Sequence, residues 1–380
     1  MRTKATELVG IDVPIFAFSH CRDVVAAVSN AGGLGVLGAV AHSPEQLDVD
    51  LKWIEDEVKG KPYGVDLLVP EKFVGSEEGG LDRESLASLL PSEHKEWLDE
   101  LLDRYGVPPL PDDARGGMGR AMGGMRIDPK SMAPLLDVCF SHSPRLLASA
   151  LGPPPPHFLD RAHAAGIPVA ALAGSVEHAV RHAEAGADLV VAQGTEAGGH
   201  TGMIATMVLV PQVVDAVGPL PVLAAGGIGN GRQLAAGMAL GADGAWCGSV
   251  WLTTEEAETP PAVKAKFLAA GAGDTVRSRS MTGKPARMLR TKWTDEWEDP
   301  DGPGPLPMPM QPMLIGSAMT RIHRVADKQG TGANDLVTYF VGQVVGSMNA
   351  VKPTRRVVLE MVEEFIDAVQ RLGGFLDDED

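Results

Sequence analysis

The residues best suited to chemistry lie in one short segment, residues 187–200 (ADLVVAQGTEAGGH). An apolar run ends at Gln193, and Gly198, Gly199 and His200 follow closely, so a buried strand would deliver polar groups and bare backbone into one small volume. A neutral imidazole is near its pKa at cellular pH and can act as a general base. We therefore interpret His200 as the candidate catalytic base.

Glu196 lies between these residues, and the sequence leaves two roles open for it. Its carboxylate could orient the imidazole of His200, or it could cap the helix that follows the segment.

Two later apolar runs also end in small residues, Gly226-Gly227 and Gly248-Ser249. Glycine permits positive φ and close approach of the main chain, and helix N-termini add partial positive charge. We therefore expect free main-chain amides at these positions to hold the phosphate of a cofactor. The alternative is that these glycines only form tight turns between strands and helices.

The elements that must position these residues alternate along the chain. Short apolar runs are followed repeatedly by segments with helical periodicity, which predicts an α/β fold, a single (β/α)₈ TIM barrel over residues 1–275. The fourth strand is predicted at residues 137–141. Active sites of such barrels lie at the carboxyl ends of the strands, and phosphates often bind after strands seven and eight.

Two segments interrupt or follow this alternation. Residues 70–134 form a long insertion after the third strand, with a helical first half and a Gly/Met-rich loop at 114–125 that is either a mobile loop or a lid. Residues 276–380 are predicted to be a C-terminal extension that packs on the barrel. It begins as an acidic, proline-rich arm over 278–313 with no core of its own, and helices follow.

Composition excludes several classes of function. The 380-residue chain carries 33 Lys and Arg against 50 Asp and Glu, a net charge of −17, which disfavours nucleic-acid and anionic-membrane surfaces. Three scattered cysteines support neither a disulfide framework nor a zinc site. We expect no signal peptide, because the first ten residues lack an apolar core, and no run of eighteen apolar residues predicts a membrane span. We expect a cytoplasmic protein that acts on a small molecule, and a homo-oligomeric state is left open.

Two weaker motifs point away from function. Gly33, Gly35 and Gly38 match G-x-G-x-x-G, but a helix precedes them and a strand follows, the reverse of a dinucleotide site. His178 and His182 have i, i+4 spacing, but we expect both to face solvent and to bind no metal.

The segments described above resemble the nitronate monooxygenase family, formerly called 2-nitropropane dioxygenases, which are FMN-dependent (β/α)₈ enzymes. The resemblance is strongest over residues 193–202 (QGTEAGGHTG) and extends to 224–228 (AAGGI) and 30–35 (NAGGLG). Residues 64–67 and 282–287 also resemble family segments.

The resemblance implies that FMN lies across the barrel mouth beside His200. This base would deprotonate a nitroalkane, or accompany a nitronate, while O2 reoxidises the flavin and the substrate becomes a carbonyl compound and nitrite. The implied cofactor contacts fall into two groups. They are Gly226, Gly227, Gly248 and Ser249 at the phosphate, and Gln193, Asp66, Gly198, Gly199 and the backbone near Ala17 and Phe18 at or near the ring.

Two positions depart from the family pattern. Phe18-Ser19 stands where many members have Pro-Met, and Asp66 stands where asparagine is common. An unpaired, anionic Asp66 near the flavin would disfavour a reduced, negatively charged ring.

Two other functions remain open at this point, because similar barrels serve different reactions. One is an FMN-dependent NAD(P)H:quinone or enoyl-type reductase. The other is a non-catalytic flavin- or phosphate-binding module that interacts with partners through its acidic arm.

Overall fold

A computed structural model describes residues 1–68, 87–111, 129–150, 152–328 and 330–376. The Gly/Met-rich loop at 114–125 lies outside the described residues, so its interpretation as a lid stays a prediction.

Eight parallel strands close into a barrel, which confirms the predicted fold class. The barrel strands, numbered along the chain, are β1 (Ile15–Ser19), β2 (Leu34–Gly38), β3 (Tyr63–Leu68), β4 (Leu146–Ala150), β5 (Val169–Ala173), β6 (Leu189–Gln193), β8 (Val222–Ala225) and β9 (Gly244–Cys247). The barrel closes where Ala17 of β1 pairs with Cys247 of β9. The strands are short and apolar because side chains are packed on both of their faces.

Helices alternate with most of these strands, and most of the helices pack on the outside of the barrel. Those of the barrel part of the chain are α1 (Lys4–Val9), α2 (Arg22–Asn30), α3 (Pro44–Val58), α4 (Ser92–Arg104), α5 (Pro129–Ser141), α6 (Pro156–Ala164), α7 (Val176–Ala185), α8 (Thr206–Val217), α9 (Gly231–Ala239) and α10 (Pro261–Ala269). Side-chain caps fix several starts, because Ser43, Ser175 and Asn230 each accept a backbone N–H of the first turn. None of the described helices is both long and apolar enough to cross a membrane.

The prediction of the fourth strand at residues 137–141 is wrong. These residues end α5, whose Leu135, Leu136 and Cys139 are buried against the barrel, and β4 begins only at Leu146. A short apolar run does not distinguish a strand from a buried helix face, which explains the error. Helix α5 lies between β3 and β4, where a barrel helix is expected, and the bounds of the insertion at residues 70–134 stay a prediction.

The prediction that residues 278–313 have no core is also wrong. Trp293 and Trp297 are buried in a second hydrophobic cluster together with Leu101 of α4 and Ile315. The ring of Trp97, in the insertion, lies 4.6 Å from that of Trp297, measured between centroids. The insertion and the C-terminal extension therefore share one packed core beside the barrel. The domain boundary at residue 275 stays a prediction.

The remaining helices belong to this C-terminal extension. They are α11 (Lys292–Trp297), α12 (Met310–Val325), α13 (Ala333–Leu336) and α14 (Thr354–Gly373).

A small antiparallel sheet crosses the rim of the barrel. It consists of β10 (Thr275–Ser278), β11 (Ala286–Leu289) and β7 (Gly199–His200), in the order β10-β11-β7. Ala286 pairs with His200, so the C-terminal extension holds the candidate base in place.

Candidate active site

A cavity of about 930 Å³ opens where the barrel strands end. All but one of the residues predicted for the site line it, namely Phe18, Asp66, Gln193, Gly198, Gly199, His200, Gly226, Gly227, Gly248 and Ser249. The exception is Ala17, which is fully buried in the barrel wall. Because residues far apart in the sequence meet here, the cavity is the candidate active site.

The loop after β8 requires glycine at two successive positions. Gly226 and Gly227 have φ of +97° and +71°, a region that other residues rarely adopt. A Cβ on Gly226 would also lie 2.9 Å from Thr206 Oγ1. The bare backbone of this loop therefore approaches the cavity directly.

These loops present hydrogen-bond donors to the cavity. Within the described part of the chain, no acceptor receives the backbone N–H of Gly226, Gly227 or Gly248. Ser249 Oγ accepts the N–H of Gly342 at 2.8 Å, which leaves its own O–H free to donate. These N–H groups line the cavity, and helix α9 begins shortly after the loop and adds its partial positive charge. This donor set fits a phosphate.

Glu196 caps a helix, which decides between its two open roles. Its carboxylate oxygens accept the backbone N–H of Thr206, the first residue of α8, at 3.1 and 3.0 Å, and Oε2 accepts the Thr206 hydroxyl at 2.9 Å. Thr206 Oγ1 also lies 3.0 Å from the Gly226 carbonyl. Glu196 thus fixes the glycine loop and does not orient His200.

A threonine orients His200 instead. The His200 Nε2 lies 2.9 Å from Thr282 Oγ1, and this hydroxyl donates to the Lys284 carbonyl at 3.1 Å. Because the single hydroxyl proton of Thr282 is used in the bond to Lys284, Thr282 Oγ1 accepts a hydrogen bond from Nε2–H of His200. We assign the tautomer on this basis, and it leaves Nδ1 of His200 unprotonated and able to take a proton.

The surroundings of His200 keep its imidazole neutral. Burial, and then the positive charge of Lys284, lower the pKa of His200 from 6.5 to about 4. Both causes disfavour the imidazolium. At cellular pH the ring is therefore a proton acceptor, although a weak base.

Asp66 is a buried acid at the end of β3. Its side chain lines the cavity, only 8% of the residue is exposed, and burial alone raises its pKa from 3.8 to about 7. Below that pH the carboxyl keeps its proton, so it acts as a hydrogen-bond donor rather than as the fixed negative charge considered from the sequence.

The prediction that His182 faces solvent is wrong. The residue is 2% exposed and lines the cavity, and its Nε2 lies 3.0 Å from the Leu172 carbonyl. The buried face of α7 runs through Ala179 and His182, three residues apart, which brings His182 to the inner side of the helix. His20, after β1, also lines the cavity, and its Nδ1 lies 2.8 Å from the Gly38 carbonyl.

Sequence reasoning missed the residues that cover the site from the C-terminal extension. A Cβ on Gly198 would lie 2.8 Å from Gly342 N, which shows how closely residues 341–342 pack there. The Phe340 ring lies 6.4 Å from the His200 ring, measured between centroids. The only signal for such residues was the family-like segment 282–287, which contains Thr282.

Comparison with known proteins agrees with this geometry. The family model described as nitronate monooxygenase matches residues 3–364. Rv1533 of Mycobacterium tuberculosis, which bears a provisional monooxygenase name, is 62% identical over 376 residues that cover 99% of this chain and 100% of that protein. A Staphylococcus aureus protein named "Probable nitronate monooxygenase" is 28% identical over 346 residues, 87% of this chain and 90% of that one.

Two solved structures are similar over nearly the whole chain. Nitroalkane oxidase from Streptomyces ansochromogenes has a TM-score of 0.76 at 27% identity, covering 97% of this chain and 99% of its own. FabK from Thermotoga maritima has a TM-score of 0.70 at 26% identity, covering 99% of each chain.

Proposed function

Because this chain belongs to the nitronate monooxygenase family, we propose that it oxidises alkyl nitronates with O2, using FMN, to a carbonyl compound and nitrite. Family membership makes the chain an oxidoreductase. The nitronate substrate, the identity of the flavin and the roles of individual residues are the proposal.

The residues at the strand ends fit FMN. The free amides of Gly226, Gly227 and Gly248, with the Ser249 hydroxyl, would hold its phosphate. Gln193 and the protonated Asp66 would contact the polar edge of its ring, since both line the same cavity. When bound, FMN supplies the electron acceptor that O2 reoxidises, and the protein supplies binding, orientation and electrostatics.

The properties of His200 favour a nitronate over a neutral nitroalkane. A base with a pKa of about 4 removes a proton from carbon with little driving force. A nitronate has already lost that proton. Its negative charge beside the ring would raise the pKa of His200 and favour protonation of Nδ1, which could then donate a hydrogen bond to the substrate.

One observation carries the proposal. The unpaired backbone donors and the neutral imidazole line a single cavity, although they come from different strand ends. This arrangement would place a flavin ring beside His200.

Anaerobic mixing tests the proposal. The FMN-loaded protein is mixed with propionate 3-nitronate or with NADPH, and the flavin absorbance is followed. We expect the nitronate to bleach the flavin faster. Faster bleaching by NADPH would contradict the proposal and favour the reductase alternative, and no bleaching by either would favour the non-catalytic module. His200→Ala serves as the control, because it should slow turnover of a neutral nitroalkane more than that of the nitronate without preventing FMN uptake.

A further inference from the structure

The C-terminal helix α14 exposes a continuous apolar surface. Six of the 13 large apolar side chains that are exposed in the described part of the chain fall within residues 359–376. Leu359, Ile366 and Val369 are 46%, 46% and 48% exposed, and the half-buried Val362 lies between them. Their spacings of three and four residues place all four on one face of the helix. We call this face the α14 stripe.

An apolar groove continues the stripe towards the end of the helix. Its volume is about 360 Å³, and it lies between Met238 of α9 and three side chains of the C-terminal segment, Val369, Leu372 and Leu376. Gly373 lies among them, and a Cβ at this position would meet no atom within 4 Å. The groove is therefore open at Gly373, and Val369 belongs to both the groove and the stripe.

The opposite face of α14 fixes the helix on the barrel. Val358, Met361 and Ala368 are buried on this face, and the first two belong to the same hydrophobic cluster as the barrel strands. The Glu364 carboxylate also accepts the backbone N–H of Gly231, the first residue of α9, at 2.9 Å. Because the helix is held in this way, the stripe points outward. Contiguous exposed apolar surface of this kind marks an interaction site.

The charges around the stripe do not suit a lipid surface. Amphipathic helices that lie on membranes carry Lys and Arg on their polar face. Residues 354–380 contain three basic residues against eight acidic ones, so an anionic bilayer would repel this segment. The stripe therefore suits a protein partner.

The shape of the stripe is complementary to a second copy of itself in antiparallel orientation. If the two copies of Ile366 meet on a two-fold axis, Leu359 of each copy lies opposite Gly373 of the other, because both are seven residues from Ile366. A protruding leucine then meets the open position of the groove.

The charges at the two ends of the helix favour the same register. Arg355 lies eleven residues before Ile366, and Asp377 lies eleven residues after it. Asp377 begins the acidic sequence DDED, residues 377–380, which lies outside the described residues. In the antiparallel register the basic start of one helix is therefore paired with the acidic end of the other, once at each end of the interface.

We propose that this protein forms a symmetric dimer, in which the α14 stripe packs antiparallel against the α14 stripe of a second copy with Ile366 on the two-fold axis. Every contact in such an interface occurs twice, so a modest surface is used efficiently. The inference does not depend on the reaction at the barrel mouth.

Sedimentation of the full chain tests the dimer. We expect the wild type to sediment as a dimer at about 100 μM. Val369→Glu should raise the dissociation constant at least about 10-fold, because it removes an apolar contact from both copies and places a carboxylate opposite Glu363 of the other copy. Val49→Glu is the matched control, since Val49 is an exposed valine on α3. A monomeric wild type, or an equal effect of the two substitutions, would overturn the dimer.

Cysteine cross-linking tests the orientation. Ile366→Cys should form a disulfide between two copies under mild oxidation, because only residues close to the axis bring their Cα atoms within about 7 Å of their own copy. Leu359→Cys lies about 10 Å along the helix from the axis and should not link to itself. The three native cysteines are buried and do not compete. A dimer that links through Leu359→Cys as readily as through Ile366→Cys, or through neither, would overturn the antiparallel packing.

Discussion

Replacing Asp66 by asparagine should stabilise the protein, by an amount that grows as pH rises from about 4 to about 7 and then stays constant. The native carboxyl keeps its proton up to pH about 7, whereas the unfolded chain releases it near 3.8. Because the folded state binds the extra proton between these values, the wild type loses stability as pH rises from 3.8 to about 7 and loses no more above it. Asparagine has the same shape and does not titrate.

The expected size follows from the two pKa values. A difference of about three pKa units corresponds to roughly 4 kcal/mol in the free energy of unfolding, at 1.36 kcal/mol for each unit. The advantage of Asp66→Asn should therefore be small at pH 4 and grow to a few kcal/mol by pH 8.

Urea denaturation at several pH values between 4 and 8 measures this difference. Asp137→Asn is the matched control, because Asp137 is 68% exposed and its substitution should give no comparable pH-dependent gain. An Asp66→Asn advantage that is flat with pH, or a variant less stable than the wild type at pH 8, would refute the reasoning about burial.

Three further variants probe the site. Thr282→Val should remove the partner of His200 Nε2, lower the rate with neutral nitroalkane about 10-fold and shift the ring ¹⁵N signals, whereas Thr282→Ser should retain both. In denaturation experiments, the free energy of unfolding of His200→Asn should exceed that of the wild type by up to about 3 kcal/mol as pH falls from 6.5 to about 4. In this range the unfolded wild type binds a proton at His200 and the folded wild type does not. Gly226→Ala should weaken FMN binding at least about 10-fold in fluorescence titrations, because φ is +97° and the Cβ would crowd the loop. Gly273→Ala, whose Cβ would meet nothing within 4 Å, is its control.

Three results would count against these interpretations. Unchanged ring signals in Thr282→Val would remove the assigned tautomer. If the difference in the free energy of unfolding between His200→Asn and the wild type does not change down to pH 4, burial does not lower the pKa of His200. Equal FMN affinity in Gly226→Ala and Gly273→Ala would show that the glycine loop does not hold the phosphate.

The barrel and most of its mouth were predictable because they depend on local patterns. Alternation of apolar runs with amphipathic segments defines the strands, and glycine marks the points where the main chain must approach a ligand. Gly226, Gly227 and His200 could therefore be proposed as site residues from residue types and spacing alone. The prediction of a strand at residues 137–141 was wrong because their apolar run fits a strand and a buried helix face equally well.

What the sequence could not show depends on contacts between distant segments. The Trp97–Trp297 contact, the pairing of Ala286 with His200 and the packing of Gly342 on Gly198 each join parts of the chain with no shared local pattern. The protonation of Asp66 is of the same kind, since burial by surrounding strands sets its pKa. A cytoplasmic location and a homo-oligomeric state stay predictions.

The central claim is that free amides at the strand ends hold the phosphate of a flavin beside His200. Parallel titrations of the flavin-free protein with FMN and with riboflavin, which lacks the phosphate, test it most directly. The account predicts one FMN bound per chain, at least about 100-fold more tightly than riboflavin. Equal affinity for the two flavins, or a folded protein that takes up neither, would contradict it.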